Sequence, residues 1–327
     1  MPSFTIAIGI LSPALCMVKH KRPIDEQTAI RRIARLAAVA PGRGATRLAL
    51  GIGDDCAIFR PRAREDLLFT TDMLIEGRHF LPGTHRPLDL GWKALARGLS
   101  DIAAMGATPR FCLVSLALPP WADQRFMDGF YRGLLRLSRQ EGVPLAGGDL
   151  ARAETLFCDI VVCGAAPRGR ALRRDTARAG DAVYVSGALG GSALGLALGR
   201  GPGWRRHLRP VPRLALGRFL RTRLRATAAM DLSDGLSLDL HRLALASGLQ
   251  AQIEAPPVFP GASLAQALHG GEDYELLFTV SARTRVPARF ETLPLTRIGT
   301  MQKGRPGVVL LAGQPLEALG FDHFRNP

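Results

Sequence analysis

The chain has 327 residues, 47% hydrophobic and 22% charged, which excludes a disordered protein or a single small module and predicts two domains with a sizeable core. Its net charge of +15 comes almost entirely from arginines scattered along the sequence. A nucleic-acid site needs basic residues clustered on one face, so we expect no nucleic-acid partner; the same positive field would attract a phosphorylated metabolite.

The cysteines and the N-terminus indicate the compartment. Five cysteines, an odd number in a long chain, argue against a disulfide framework, so we expect a cytoplasmic protein with buried structural thiols. Metal ligation by Cys158 and Cys163 is the alternative.

The apolar N-terminus lacks a basic leading segment and is too short to span a bilayer, so we predict neither signal peptide nor membrane contact. Residues 1–20 are expected to be a disordered extension.

Apolar periodicity alternates between helix and strand along the chain. In the first half it predicts helices at 28–39, 88–105 and 125–140, and strands at 47–52, 66–71, 111–118 and 156–162. After a basic connection at 167–180 it predicts strands at 182–185, 251–253, 274–280 and 308–311, and helices at 192–198, 212–224, 236–246 and 264–268. We therefore predict an α/β to α+β fold: an N-terminal α/β domain with a mixed sheet at 21–165, and a C-terminal α+β sheet domain covered by helices at 166–327.

The most informative feature is a set of aspartates beside Gly, Ser or Thr at predicted strand ends and turns: Asp54, Asp55, Asp72, Asp101, Asp149, Asp231 and Asp234. Aspartates on solvated helix faces would instead stand among Lys and Glu. Converging carboxylates repel each other and need cations. Oxygen-only ligands favour Mg²⁺, which completes its coordination with water and substrate phosphates. The sequence therefore predicts a magnesium and phosphate site.

Each segment also has an ordinary structural interpretation. Asp54 and Asp55 could form a turn or a helix N-cap, Ser233 and Asp234 could cap the next helix, and the glycines at 147–148 could form a hairpin or bulge. The glycine-containing turn at 186–191 indicates either phosphate binding or close backbone packing. The sequence contains no GxxxxGK[ST] loop and no zinc-spaced histidines. Five such acidic segments in one chain favour the cluster over separate coincidences.

Seven segments in a fixed order carry a resemblance to a known family: GIGDDCA (51–57), TTDMLIEGRHF (70–80), KALARGLSDIAAMGATP (93–109), GGD (147–149), GRALRR (169–174), DLSDGL (231–236) and GGEDYELLF (270–278). On these the chain resembles the thiamine-monophosphate kinase family of the aminoimidazole ribonucleotide synthetase superfamily. The resemblance implies a homodimer paired through the N-terminal domain. It also implies transfer of the γ-phosphoryl group of ATP to thiamine monophosphate.

The resemblance further implies roles for individual residues. It implies magnesium ligation by Asp55, Thr70, Thr71, Asp72, Asp101, Asp149, Asp231 and Asp234. It implies ATP contacts from Tyr131, Gly148, Asp149, Arg174 and Ser233, and acceptor contacts from His79, Glu272 and Phe321. Asp72, Asp149 and Arg174 are the expected catalytic residues.

The acceptor phosphate is already ionised near neutral pH, so we expect direct in-line transfer without a covalent enzyme intermediate. Two alternatives remain open: another ATP-dependent synthetase of the superfamily, and an arginine-rich RNA-binding protein.

Overall fold

The computed structural model describes residues 26–38, 47–50, 52 and 56–321. The predictions for residues 1–20 and for Asp54 and Asp55 lie outside these residues. In chain order, the first half contains α1 (Glu26–Ala38), β1 (Leu48–Leu50), β2 (Ile58–Phe59), β3 (Glu65–Ile75), α2 (Pro87–Ala104), β4 (Thr108–Leu118), α3 (Gln124–Glu141), β5 (Leu145–Arg152) and β6 (Phe157–Pro167). Strands β3, β6, β4 and β5 form a mixed sheet in that order, in which only the β4–β5 pair is parallel.

Helices α2 and α3 pack tightly against each other on one face of this sheet. A Cβ atom at Gly91 would lie 1.9 Å from the carbonyl oxygen of Phe130, and one at Gly133 would lie 1.9 Å from that of Leu88. The two backbones can approach this closely only because both positions are glycine. The other face of the sheet carries exposed side chains, including Phe69, which is 63% exposed. The sheet thus has one covered face and one open face.

The second half contains β7 (Ala182–Ser186), α4 (Gly191–Leu198), α5 (Gly201–Leu208), α6 (Leu214–Phe219), β8 (Ala228–Asp231), α7 (Leu236–Ala246), β9 (Gln250–Ile253), α8 (Leu264–His269), β10 (Leu276–Val280), β11 (Arg289–Phe290), β12 (Leu293–Gln302), β13 (Val309–Leu311) and β14 (Gln314–Pro315). Helix α6 continues as a π-helical turn through Leu224. Seven strands form a sheet of order β14-β13-β9-β12-β7-β10-β8, and β11 pairs with β12. One apolar cluster of this half packs α7 and α8 against the sheet. No described helix is long and apolar enough to cross a membrane.

Helix α2 joins the two halves. A Cβ atom at Gly217 on α6 would lie 2.0 Å from the carbonyl oxygen of Ala103, so the two helices touch through their backbones. The indole nitrogen of Trp92 donates to the carbonyl of Pro210 at 2.9 Å. Because α2 contacts both halves, its remaining face borders the space between them.

Apart from the two-residue strands, which were not predicted, three differences from the sequence prediction have a clear physical reason. The glycines at 147–148 lie inside strand β5 rather than in a hairpin, and a Cβ atom at Gly148 would lie 1.9 Å from the carbonyl oxygen of Val114. Helix α5 was not predicted, because Gly201, Pro202 and Gly203 mask its periodicity. Strand β12 was not predicted either, since its prolines and glycine interrupt the apolar alternation.

Candidate active site

A cavity of about 750 Å³ lies between the two halves. Its walls come from the β3 end, α2, α4 and α5, and the loops that follow β8 and precede β10. The predicted site residues that line it are Asp72, His79, Asp101, Asp231, Ser233, Asp234, Glu272 and Phe321. Residues separated by as many as 249 positions in the chain thus border one cavity.

One face of α2 supplies polar side chains to this region at helical spacing. Lys93, Arg97, Ser100 and Asp101 stand at i, i+4, i+7 and i+8, which places them on the same side of a helix. The guanidinium of Arg97 donates to Asp72 at 3.0 Å. The hydroxyl of Ser100 donates to Asp231 at 2.7 Å. These contacts fix carboxylates from both halves relative to one helix.

We call Asp72, Asp101, Asp231 and Asp234 the acidic end of the cavity. Burial raises the pKa of Asp101 to about 8, assisted by repulsion from Asp231 and Asp72. Burial also raises the pKa of Asp231 to about 7, opposed by the Ser100 hydrogen bond. The pKa of Asp72 is raised by burial despite the opposing charge of Arg97. The acidic end therefore has more negative charge than the neighbouring protein groups neutralise.

This donor set suits a hard divalent cation. The hydroxyl of Thr70 donates to Asp101, so this predicted ligand also lies at the acidic end. Among residues 56–321, no three acidic, cysteine or histidine side chains converge closely enough to form a preformed metal centre. An ion bound here would take its remaining ligands from water or phosphate oxygens, as Mg²⁺ commonly does.

The turn that carries Asp234 is held by a carboxylate from the following helix. Asp239 on α7 accepts hydrogen bonds from the backbone amides of Asp234 at 3.0 Å and Gly235 at 3.1 Å. Arg242 donates to both Asp234 and Asp239. The side chains of Ser233 and Asp234 therefore do not cap α7; Asp239 fixes the turn and leaves Ser233 and Asp234 facing the cavity.

The acidic segment that precedes β10 has three carboxylates that differ in their contacts, although Arg206 lies beside both Asp273 and Glu275. Asp273 accepts from the backbone amides of Gly190 at 2.5 Å and Ser192 at 3.1 Å. These amides at the start of α4 are thus already bound within the protein, which favours the packing interpretation of that turn. Glu275 is fully buried and pairs with Arg206 and Arg213. Of the three, only Glu272 lines the cavity.

Glu272 is held by two groups from different elements. Lys93 Nζ lies 2.9 Å from its Oε2 atom, and His207 Nδ1 lies 3.2 Å from the same atom. These neighbours, with Arg97, lower the pKa of Glu272 to about 2 against the opposing effect of burial. The carboxylate is therefore ionised at neutral pH.

Beside Glu272 the cavity becomes aromatic. We call Phe80, His85 and Trp204 the aromatic end. Phe321 also lines the cavity, and its backbone amide donates to the carbonyl of Asp234 at 2.9 Å. The Trp204 and His207 rings stack with centroids 5.2 Å apart, and His85 lies edge-on to Trp204 at 5.2 Å. Burial and the charge of Lys93 lower the pKa of His85 to about 4 and that of His207 to about 3, so both rings are neutral at pH 7.

The other predicted site residues that the structure describes do not line this cavity, apart from Thr70, which contacts Asp101. Tyr131 is buried in the core beside Phe130. Arg174 is exposed in the connection between β6 and β7, and Thr71 is exposed on the open face of the first sheet. Asp55 lies outside the described residues.

Asp149 is exposed on β5, at the opposite edge of the sheet from β3. Cross-strand pairing aligns Asp72 with Ile160, Val114 and Gly148 across three strand spacings, roughly 14 Å. Asp149, one residue further on, points to the other face. Within one chain, Asp149 and Gly148 are thus separated from the acidic end.

Several residues that line the cavity or hold its carboxylates and turns received no role in the sequence analysis: Lys93, Arg97, Ser100, His207, Trp204 and Asp239. A signal existed for Lys93, because it is one of four lysines and interrupts an apolar helix. No comparable signal identified Trp204 and His207, since their helix itself was not predicted.

Comparison with known proteins gives consistent matches over most of the chain. The domain families described as AIR synthase related protein, N-terminal domain and C-terminal domain, match residues 53–167 and 178–311. Thiamine-monophosphate kinase of Escherichia coli K12 is 39% identical over 306 residues, covering 85% of this chain and 93% of that protein. The enzyme of the same name from Bacillus subtilis is 35% identical over 306 residues, covering 84% and 94%.

Solved structures match as well. Thiamine-monophosphate kinase from Stenotrophomonas maltophilia has a TM-score of 0.79 at 37% identity, covering 90% of this chain and 98% of that one. A structure of AaThiL complexed with AMPPCP and TMP has a TM-score of 0.74 at 33% identity, covering 81% and 89%. Hydrogenase maturation protein HypE in complex with ATP shares the fold, with a TM-score of 0.68 at 19% identity.

Proposed function

Because the chain belongs to the thiamine-monophosphate kinase family, we propose that the cavity between its halves is where it phosphorylates thiamine monophosphate with ATP. The observation that carries this assignment is a contrast within one cavity. At the acidic end, the neighbouring protein groups do not neutralise the carboxylates, whereas the ionised Glu272 lies beside the aromatic end. A phosphate donor with divalent cations suits the first end, and a cationic organic acceptor suits the second.

The acidic end positions the phosphate groups in this proposal. Mg²⁺, when bound, supplies the positive charge that offsets repulsion between two phosphate anions. Asp72, Asp101, Asp231 and Asp234 are the residues that would hold it. Arg97 and Ser100 keep two of these carboxylates in place through the hydrogen bonds described above. Phosphoryl transfer requires positioning and charge neutralisation more than covalent catalysis.

The transfer step needs no protein nucleophile. An ionised oxygen of the acceptor phosphate forms the new bond to the γ-phosphorus, and the bond to the β–γ bridging oxygen breaks, so ADP leaves with the electron pair. We expect no phosphorylated protein. Trapping a labelled phosphoprotein after mixing with γ-labelled ATP would overturn this direct step.

The aromatic end binds the organic part of the acceptor in this proposal. Thiamine carries a permanently cationic thiazolium ring. Aromatic faces attract organic cations, and the ionised Glu272 adds a full negative charge. Trp204 and Phe321 are the cavity aromatics placed to contribute such faces, and His79 lines the same wall.

A dimer through the open face of the first sheet accounts for Asp149. Phe69 and Met73 are 63% and 49% exposed on that face, an apolar surface of the kind that marks protein contacts. Strands β3 and β5 are the two edges of this sheet. A two-fold axis that covers the open face can bring β5 of one copy beside β3 of the other. Asp149 would then join the acidic end of the second copy, together with Gly148.

Mixed dimers test this arrangement. Asp72→Asn and Asp149→Asn are each expected to be inactive alone, whereas their co-expression should restore about a quarter of wild-type activity, since half of the random dimers contain one intact site. Gel filtration confirms the dimer in each sample. Absence of recovery in verified mixed dimers would show that Asp149 does not act across copies.

We place the protein in the cytoplasm. Cys112, Cys158 and Cys163 are buried free thiols, and Cys56 is an exposed one. Free thiols of this kind persist in a reducing compartment.

The activity test uses purified protein with ATP, Mg²⁺ and thiamine monophosphate, followed by phosphorus NMR. We expect ADP and thiamine diphosphate in equal amounts, and no turnover of thiamine or of aminoimidazole precursors offered as control substrates. Another synthetase of the superfamily would release inorganic phosphate with ADP. An RNA-binding protein would instead bind RNA with a steep salt dependence that Asp101→Asn leaves unchanged.

A further inference from the structure

Lys93 is the largest fully buried side chain among the described residues, at 0% exposure. It lies in the middle of α2, between apolar turns of the helix. An ammonium removed from water is strongly unfavourable unless charged or polar groups surround it. A methionine would fill the same volume without that cost, so the lysine calls for an explanation beyond packing.

The partners of Lys93 come from the other half of the molecule. Its Nζ atom lies 2.9 Å from Glu272 Oε2 and 3.3 Å from His207 Nε2. Because His207 is neutral, an Nε2 atom that accepts from Lys93 leaves the ring proton on Nδ1. That Nδ1–H faces Glu272 Oε2 at 3.2 Å and the Ser192 hydroxyl at 2.9 Å. Lys93 therefore contacts both Glu272 Oε2 and the imidazole ring that lies beside the same oxygen, while Ser192 is the hydrogen-bond partner of Nδ1.

The backbone of Glu272 also requires support. Its φ is 64°, in the left-handed region that non-glycine residues rarely occupy, and its amide donates to the carbonyl of Ser233 at 2.7 Å. Both described contacts to its carboxylate involve Oε2. No described side chain donates to Oε1, and the Glu272 side chain is 24% exposed at the cavity wall. Among the described residues, Oε2 thus has side-chain partners and Oε1 has none, which leaves Oε1 for a ligand.

We propose that Lys93 is a positioning residue for the acceptor: it fixes Glu272, directly and through His207, so that the free carboxylate oxygen faces the organic part of thiamine monophosphate. This inference rests on the proposed function. It also makes acceptor binding depend on the packing of the two halves, because α2 belongs to the first half and Glu272 to the second. In this proposal ATP binds at the acidic end, and its binding does not depend on Lys93.

Steady-state kinetics of Lys93→Met test the proposal. We expect the KM for thiamine monophosphate to rise about tenfold, as for loss of a hydrogen bond that orients a charged group, with the KM for ATP within about twofold of wild type. Leu95→Ala is the matched control, because Leu95 is fully buried on the same helix and contributes only apolar packing. It should lower the melting temperature without changing the ratio of the two KM values.

A double-mutant cycle separates positioning from packing. If Lys93 acts through Glu272, then Lys93→Met should add less than about twofold to the acceptor KM in a Glu272→Gln background. Additive effects, or equal increases in both KM values, would overturn the proposal. If Lys93→Met does not fold, His207→Phe provides the readout, with an expected rise of about threefold in acceptor KM alone.

Different results would refute the proposed function and the proposed role of Lys93. A wild-type protein that does not turn over thiamine monophosphate refutes the proposed function. An active wild type whose Lys93→Met and His207→Phe variants keep a normal acceptor KM refutes only the role of Lys93.

Discussion

At the two ends of the cavity, the pKa values of carboxyl groups are shifted in opposite directions. At the acidic end, burial and mutual repulsion raise the pKa of Asp101 to about 8 and that of Asp231 to about 7. At the other end, Lys93 and His207 lower the pKa of Glu272 to about 2. All three carboxylates border the same space, so their difference comes from the partners that the protein provides.

This difference indicates which kind of ligand each end can bind. Carboxylates without sufficient protein counter-charge destabilise the folded chain and gain most from an external cation. A carboxylate already paired with a buried lysine needs no metal and offers a fixed charge to an organic ligand. This contrast is the basis of our proposal that the phosphates and their cations bind at one end and the organic part of the acceptor at the other.

The largest expected effect is at the acidic end. Asp101→Asn keeps an acceptor for Thr70 but removes the charge, and we expect kcat to fall by about a thousandfold, as when a group that stabilises transition-state charge is lost. Coupled detection of ADP measures this loss, with circular dichroism as the check on folding. Retention of more than a tenth of the wild-type kcat would show that Asp101 does not belong to the active site.

A smaller and more selective effect is expected at the aromatic end. Trp204→Leu removes a ring that stacks on His207, and the KM for thiamine monophosphate should rise about tenfold while the KM for ATP stays constant. The control is Trp121→Leu, because Trp121 is a partly exposed tryptophan that does not line the cavity. Equal changes in both KM values would contradict the division into two ends.

The smallest effect concerns a single neutral hydrogen bond at the acidic end. Ser100→Ala removes the hydroxyl that donates to Asp231 at 2.7 Å, without changing any charge. We expect kcat to fall about threefold to tenfold and the apparent requirement for Mg²⁺ to rise. The initial rate as a function of Mg²⁺ concentration measures both, and an unchanged curve would mean that Asp231 does not depend on this hydroxyl.

Much of the fold was predictable because it depends on local periodicity. Helices α2 and α3 were predicted to within one residue at each end, since their apolar spacing and flanking Pro87 and Gly142 define them. The two-domain α/β to α+β architecture is confirmed by the matched domain families. Strand β5 and helix α5 were not predicted. Their glycines allow close backbone contacts in the folded chain, but in the sequence they look like turn residues.

The site was predictable where it consists of acids on turns. Asp72, Asp101, Asp231 and Asp234 line one cavity, and spacing beside small residues was enough to single them out. The residues that orient these acids were missed, because Arg97 and Asp239 look like ordinary helix residues in the sequence. The position of Asp149 depends on strand order, which is not readable from one sequence, and its proposed role depends on a second copy of the chain.

Melting temperatures of two variants in metal-free buffer test the contrast between the ends most directly. Asp101→Asn should raise the melting temperature by about 2–4 °C at pH 7, because the folded state raises the pKa of Asp101 and so disfavours this carboxyl relative to the unfolded chain. Glu272→Gln should lower it by at least a similar amount, since it leaves the buried Lys93 without its counter-charge. A decrease of similar size in both variants would contradict the claim that the protein neutralises one end of the cavity and leaves the other to an external cation.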